Sequence, residues 1–109
     1  MVGKACAADL SKEGINAYQQ KDYDKAVEIF SGALTMFPNH VGVNLNLVQV
    51  VLAKNEVDGK DKNFYKTCKD CFDRVHGLDV SHKQYGRYQF LYEQFCSEYR
   101  GFGDEEVAS

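Results

Sequence analysis

The stretch KDYDKAVEIFSGALTMFPNH, residues 21–40, constrains the fold more than any other part of the chain. Tyr23, Ala26, Phe30 and Ala33 follow one another at steps of three, four and three, which sets them on one face of a helix. Two of the four are alanines, whose short side chains bring a neighbouring helix close. Pro38 has no amide hydrogen to continue the ladder, so the run stops there. The pattern is the second half of a tight helical hairpin. The first half is a helix over about 5–20, with Leu10, Gly14, Ala17 and Tyr18 along one face, and the polar pair Lys21-Asp22 makes the turn.

Helical periodicity continues beyond the hairpin, and strand alternation is nearly absent. Asn39 is suited to cap a third helix, VGVNLNLVQVVLAK. This helix carries Val43, Leu47, Val48, Val51 and Leu52 and is apolar around most of its circumference, which predicts a central, buried element. The polar run NEVDGKDKN is a loop. A fourth helix over about 61–76 follows, with Gly77 placed to end it, and Ser81 can open a fifth over about 82–99. The glycines at 101 and 103 and the acidic end are expected to fray.

The opening pattern occurs twice. Laid over KNFYKTCKDCFDRVHGLD, Tyr23 falls on Tyr65, Ala26 on Cys68, Phe30 on Phe72, Ala33 on Val75 and Met36 on Leu78. Each copy follows a helix whose apolar face can pair with it. Two hairpins in tandem are the mark of a solenoid, in which each unit covers its neighbour's open face.

These residues resemble the tetratricopeptide repeat, which has a period of about 34 residues, Gly-x-x-Tyr in its first helix and Ala-x-x-x-Phe…Pro in its second. Gly14, Tyr23, Ala26, Phe30, Ala33, Leu34 and Pro38 all fit. Glu13 stands where the family prefers leucine and Ala17 where it prefers tyrosine. The second hairpin is degenerate: Val48 replaces the small residue, Val80 replaces the proline, and the inserted NEVDGKDK lengthens the spacing. A finer resemblance is to the repeat segment that follows a CheY-like receiver in some bacterial response regulators, through the NLNLVQ run and the closing Tyr-x-x-Tyr helix. It would imply the output part of a two-component system.

The expected architecture is all-α, a helical-hairpin solenoid resembling tetratricopeptide repeats. One domain over 1–103 would hold hairpins at about 5–37 and 40–78 and a capping helix at about 82–100, with 104–109 a flexible acidic tail. About three repeats are usually needed for stability, so something must cover the ends. The resemblance implies capture of a peptide or partner helix in the groove lined by the first helices of each hairpin. There the first helix offers Lys12, Ile15, Tyr18 and Gln19, and the third offers Leu45, Asn46 and Gln49. Amides one turn apart, as at Asn46 and Gln49, can bond both the N–H and the C=O of a peptide backbone. Some family members grip a terminal carboxylate with lysines and asparagines. Asn46 fits that pattern, but Ser11 and Ile15 do not, and Lys83 and Arg87 stand one residue out of register.

The fifth helix carries Tyr85, Tyr88, Tyr92, Phe95 and Tyr99 in one aromatic stripe. The stripe either caps the second hairpin or, through Tyr85, Tyr88, Tyr92 and Phe95, serves as a self-association surface, the alternative function being a structural dimerisation module. Cys68-x-x-Cys71 with His76 and His82 has too few paired ligands for a structural zinc site. Cys68, in the place of Ala26, is expected to fill a helix crossing, with Cys71 more exposed. No catalytic residue, metal or cofactor is expected, since no Gly-rich phosphate loop and no nucleophile–base spacing appears.

A net charge of −3 speaks against nucleic acid, and no run near twenty apolar residues suggests a membrane span. The opening MVGKACAADL lacks the apolar core of a secretory signal, which makes the cytoplasm the expected location and thiols the expected state of the four cysteines.

Overall fold

A computed structural model describes residues 6–59 and 61–100. The expectations for the glycines at 101 and 103 and for the acidic end lie outside those residues. Five helices follow in order: α1 (Ala7–Gln19), α2 (Tyr23–Met36), α3 (Val41–Asp58), α4 (Lys62–Arg74) and α5 (Tyr85–Glu98). The described residues contain no strand, and the architecture is an all-α helical repeat.

The α1–α2 hairpin closes on a left-handed residue. Lys21 has φ +64°, the amide of Asp22 donates to the Ala17 carbonyl and that of Lys21 to the Tyr18 carbonyl. This pair of bonds satisfies two of the orphan carbonyls at the end of α1. The Asp22 side chain then accepts from the Lys25 amide and starts α2. The two helices meet where Gly14 faces Phe30. A Cβ on Gly14 would lie 2.4 Å from the ring, so only a residue without a side chain lets the backbone sit on the aromatic. Ala17, Ala26 and Ala33, all buried, continue the close contact.

α3 is the centre, packed against α1, α2, α4 and α5. Buried residues lie all round it, including Val43, Leu45, Leu47, Val48 and Val51. Its cap differs from expectation. His40, not Asn39, is the N-cap, and its Nδ1 accepts from the Val43 amide at 3.2 Å. One residue further in, the fully buried Asn44 donates to the carbonyls of Pro38 and His40 and accepts from Arg74 Nε. One amide thus ties the α2–α3 turn to α4.

Asp61 caps α4 by accepting from the Asn63 amide. The buried face of α4 presents Cys68, Cys71, Phe72 and, just beyond its end, Val75. Cys71 is buried like Cys68, not more exposed, because α4 turns both thiols inward. α5 opens later than Ser81. The Asp79 carboxylate instead takes the Ser81 amide and hydroxyl in a local turn, and Gln84 precedes the helix. The aromatic stripe lies on α4: Phe72 meets Tyr88, Tyr92 and Phe95 with ring centroids 6.0, 5.1 and 5.2 Å away, and Tyr65 meets Phe95 and Tyr99. Leu91 is buried beside the stripe.

Candidate partner-binding groove

α1, α3 and α5 wall a groove with two adjoining hollows. The smaller, about 310 Å³, lies between Ile15, Tyr18 and Gln19 of α1 and Asn46, Gln49 and Val50 of α3. Its floor is Phe30, an α2 residue that reaches this side of the sheet of helices because Gly14 leaves the way open. The larger, about 410 Å³, runs on along α3 past Leu52, Ala53 and Glu56, opposite Phe90, Gln94 and Glu98 of α5. Tyr18, Gln49 and Arg87 border both.

Five of the seven expected groove residues, Ile15, Tyr18, Gln19, Asn46 and Gln49, therefore meet in one hollow. Lys12 does not; it is exposed on α1 and lines neither space. Leu45 is not on the groove face either, being fully buried in the core. The two amides face α5 rather than open solvent. Asn46 is only 8% exposed. Arg87 Nη2 donates to Asn46 Oδ1 and, at 2.8 Å, to Gln49 Oε1. The acceptor oxygens are thus engaged within the molecule, while Ile15 (40% exposed) and Tyr18 stay accessible along the wall.

Arg87 is the residue the spacing argument set aside. Burial lowers its pKa, since a guanidinium removed from water loses solvation of its charge. Its acceptors are neutral amides, and among the described residues no carboxylate reaches salt-bridge distance of it. The ion pairs among the described residues are those of Lys54, away from the groove, which joins Asp24 of α2 and Asp58 of its own helix. The signal for Arg87 was its i,i+4 relation to Lys83 on the last helix, but only the docking of α5 shows which amides it reaches.

Of the residues considered for self-association, Phe95 is buried, Tyr85 and Tyr88 are half-buried, and Tyr92 alone is exposed, because Phe72 and Tyr65 take the stripe. Tyr99 donates no surface at all: its hydroxyl accepts from Asn55 Nδ2 at 2.7 Å in the core. Burial pushes the Tyr99 phenol up to about 12 and the Cys71 thiol up to about 11, against the pull of Arg74. Cys68 is raised further by the same cause. Thiols held in the neutral form are poor nucleophiles and poor metal ligands. No group of three metal-binding side chains occurs among the described residues.

Residues 17–59 match the family model of the tetratricopeptide repeat. Over that stretch the chain is similar to a tetratricopeptide repeat. The matched stretch begins inside α1, takes in all of α2 and α3, and ends at Gly59. It therefore covers the helices that bear Phe30, Asn46 and Gln49, while α4 and α5 lie beyond it. No curated protein and no solved structure matches the chain. Tetratricopeptide repeats are generally non-catalytic units of protein–protein interaction, and protein partners are what this repeat suggests. Among the described residues no helix is long and apolar enough to cross a membrane.

Proposed function

We propose that this chain is a non-catalytic module that captures a peptide or a partner helix in the groove between α1, α3 and α5. The observation that carries the reading is the continuity of the two hollows through Tyr18, Gln49 and Arg87. An aromatic, an amide and a half-buried cation along one preformed wall suit an amphipathic segment. Rigid helices present them with little ordering cost on binding. Because Arg87 meets only neutral amides among the described residues, a partner segment with a carboxylate near its apolar anchor is favoured over a basic one. The acidic net charge supports a protein partner over nucleic acid.

The test is capture of partners with the whole chain as bait, followed by titration of the recovered segment. Tyr18→Ala should weaken binding about tenfold, as loss of an aromatic anchor does, while circular dichroism stays unchanged. A recovered segment that binds the Tyr18→Ala and Ile15→Ala variants as tightly as the unaltered chain would remove the groove from consideration.

The resemblance to segments that follow CheY-like receivers supports a place in two-component signalling, with the chain as an output part in the cytoplasm. Binding to a receiver domain, measured with and without its phosphoryl group, tests that role; equal absence of binding in both states counts against it. Dimerisation through the aromatic stripe is the competing reading and rests on Tyr92, 45% exposed. Tyr92→Glu should then convert a dimer to a monomer in light scattering.

A further inference from the structure

The side of α5 turned away from the aromatic stripe carries a second pattern. Gly86, Phe90, Glu93 and Ser97 follow at steps of four, three and four, so they share one face, and all are exposed. Phe90 is 61% exposed, although a large aromatic ring gains most from burial. Gly86 lies inside the helix, where glycine is less favourable than alanine. Among the described residues nothing lies within 4 Å of where its Cβ would be, so none of them calls for glycine there. The same chain shows what such a notch accepts: Gly14 of α1 seats the ring of Phe30, with ring carbons 2.4 to 2.7 Å from the absent Cβ.

We infer that this face pairs with its own counterpart on a second copy of the chain, α5 antiparallel to α5. The pattern is self-complementary about a two-fold axis passing level with Tyr88. Positions equally far before and after that residue then face each other. Phe90 of one copy lies over Gly86 of the other, and Phe90 of the second over Gly86 of the first, as an isologous contact requires. The same register sets Lys83, just ahead of the helix, against Glu93 of the other copy, so the charges agree at both ends. A parallel pair would instead set like charges side by side. The occupant is therefore a second copy rather than an unrelated helix. The aromatic stripe keeps its place on α4, so no part of the core is disturbed. One helix of 14 residues offers less than a standard interface, so the dimer is weak, in the micromolar to millimolar range. Phe90 and Ser97 also border the larger hollow, so a second copy on this face competes there with a groove partner.

Sedimentation equilibrium of the full chain from micromolar to millimolar concentration is the test. The unaltered chain should show a monomer–dimer equilibrium, and Phe90→Glu should weaken it about a hundredfold. Gly86→Ala should raise the melting temperature, because alanine favours the helix, yet weaken the dimer by filling the notch. Lys83→Glu should weaken it and the double variant Lys83→Glu/Glu93→Lys restore it. A monomer at every concentration overturns the inference. So does a dimer that survives Phe90→Glu with unchanged affinity, which would place the contact on another face. A monomer whose Phe90 changes environment when residues 101–109 are deleted also overturns it, by making the chain's own end the occupant.

Discussion

Gly14 shows how much one missing side chain decides. The ring of Phe30 fills the space a Cβ would take, floors the smaller hollow and sets the distance between α1 and α2. Gly14→Ala should therefore destabilise the chain in spite of alanine's better helix propensity, by about 1–3 kcal/mol as overpacking does, read from urea unfolding. Asn44 is a second such residue. It is fully buried and makes three hydrogen bonds. Asn44→Ala leaves the Pro38 carbonyl and Arg74 Nε short of a partner, while the His40 carbonyl keeps the backbone amide of residue 44, at a cost of about 2 kcal/mol. The cysteines divide by exposure. Cys6 and Cys96 are exposed, whereas Cys68 and Cys71 are buried and held neutral. A thiol reagent near neutral pH should label the first two quickly and the second two only at the rate of unfolding, as mass spectrometry would show. Gly14 was readable from the repeat pattern. Asn44 was not, because an asparagine on an apolar helix has no partner in sight until the α2–α3 turn and Arg74 are folded around it.

At the scale of the elements, helix positions follow from periodicity while their ends follow from hydrogen-bond partners. The turn after α1 places Lys21 at a positive φ of 64°, a conformation that is costly for any residue with a Cβ. Lys21→Gly should relieve it. Against the extra freedom glycine has in the unfolded chain, the net gain is about 0.5–1 kcal/mol, seen as a raised melting temperature. Asn39 and Ser81 had the right chemistry for caps, yet His40 caps α3 and α5 begins at Tyr85. Capping depends on which of several adjacent acceptors the turn aims at the first free amides, and composition leaves that undecided. α5 itself was legible as an aromatic stripe. That the stripe would be covered depended on α4 offering Phe72 and Tyr65 opposite it.

At the scale of the whole molecule, α5 holds both the core and the groove. Tyr99 joins it to α3 through Asn55, and the phenol's pKa rises from 10.0 to about 12. A group whose folded pKa is raised contributes stability that is complete below its unfolded value and is lost as pH climbs to the folded one. This contribution should therefore be intact below about pH 10 and vanish towards 12. Alkaline unfolding followed by circular dichroism should show a smaller loss across that window for Tyr99→Phe than for the unaltered chain. At the other end of α5, Arg87 reaches Asn46 across 41 residues of sequence. The cation in the groove is thus a product of the stack.

The sequence by itself determined the helices, the hairpin built on Gly14 and Phe30, the repetition of its pattern, and the helix faces shared by Ile15, Tyr18 and Gln19 and by Asn46 and Gln49. These are consequences of local periodicity: a step of three or four residues sets a face wherever the helix finally sits. Only the tertiary structure decided that Asn46 and Gln49 would turn to Arg87, that Cys71 would be buried, and which side of α5 would be left bare. Those outcomes depend on the angle and height at which α5 docks on α3 and α4. That docking is set by the summed fit of Tyr65, Phe72, Leu91, Phe95 and Tyr99, and no single stretch of the chain contains it.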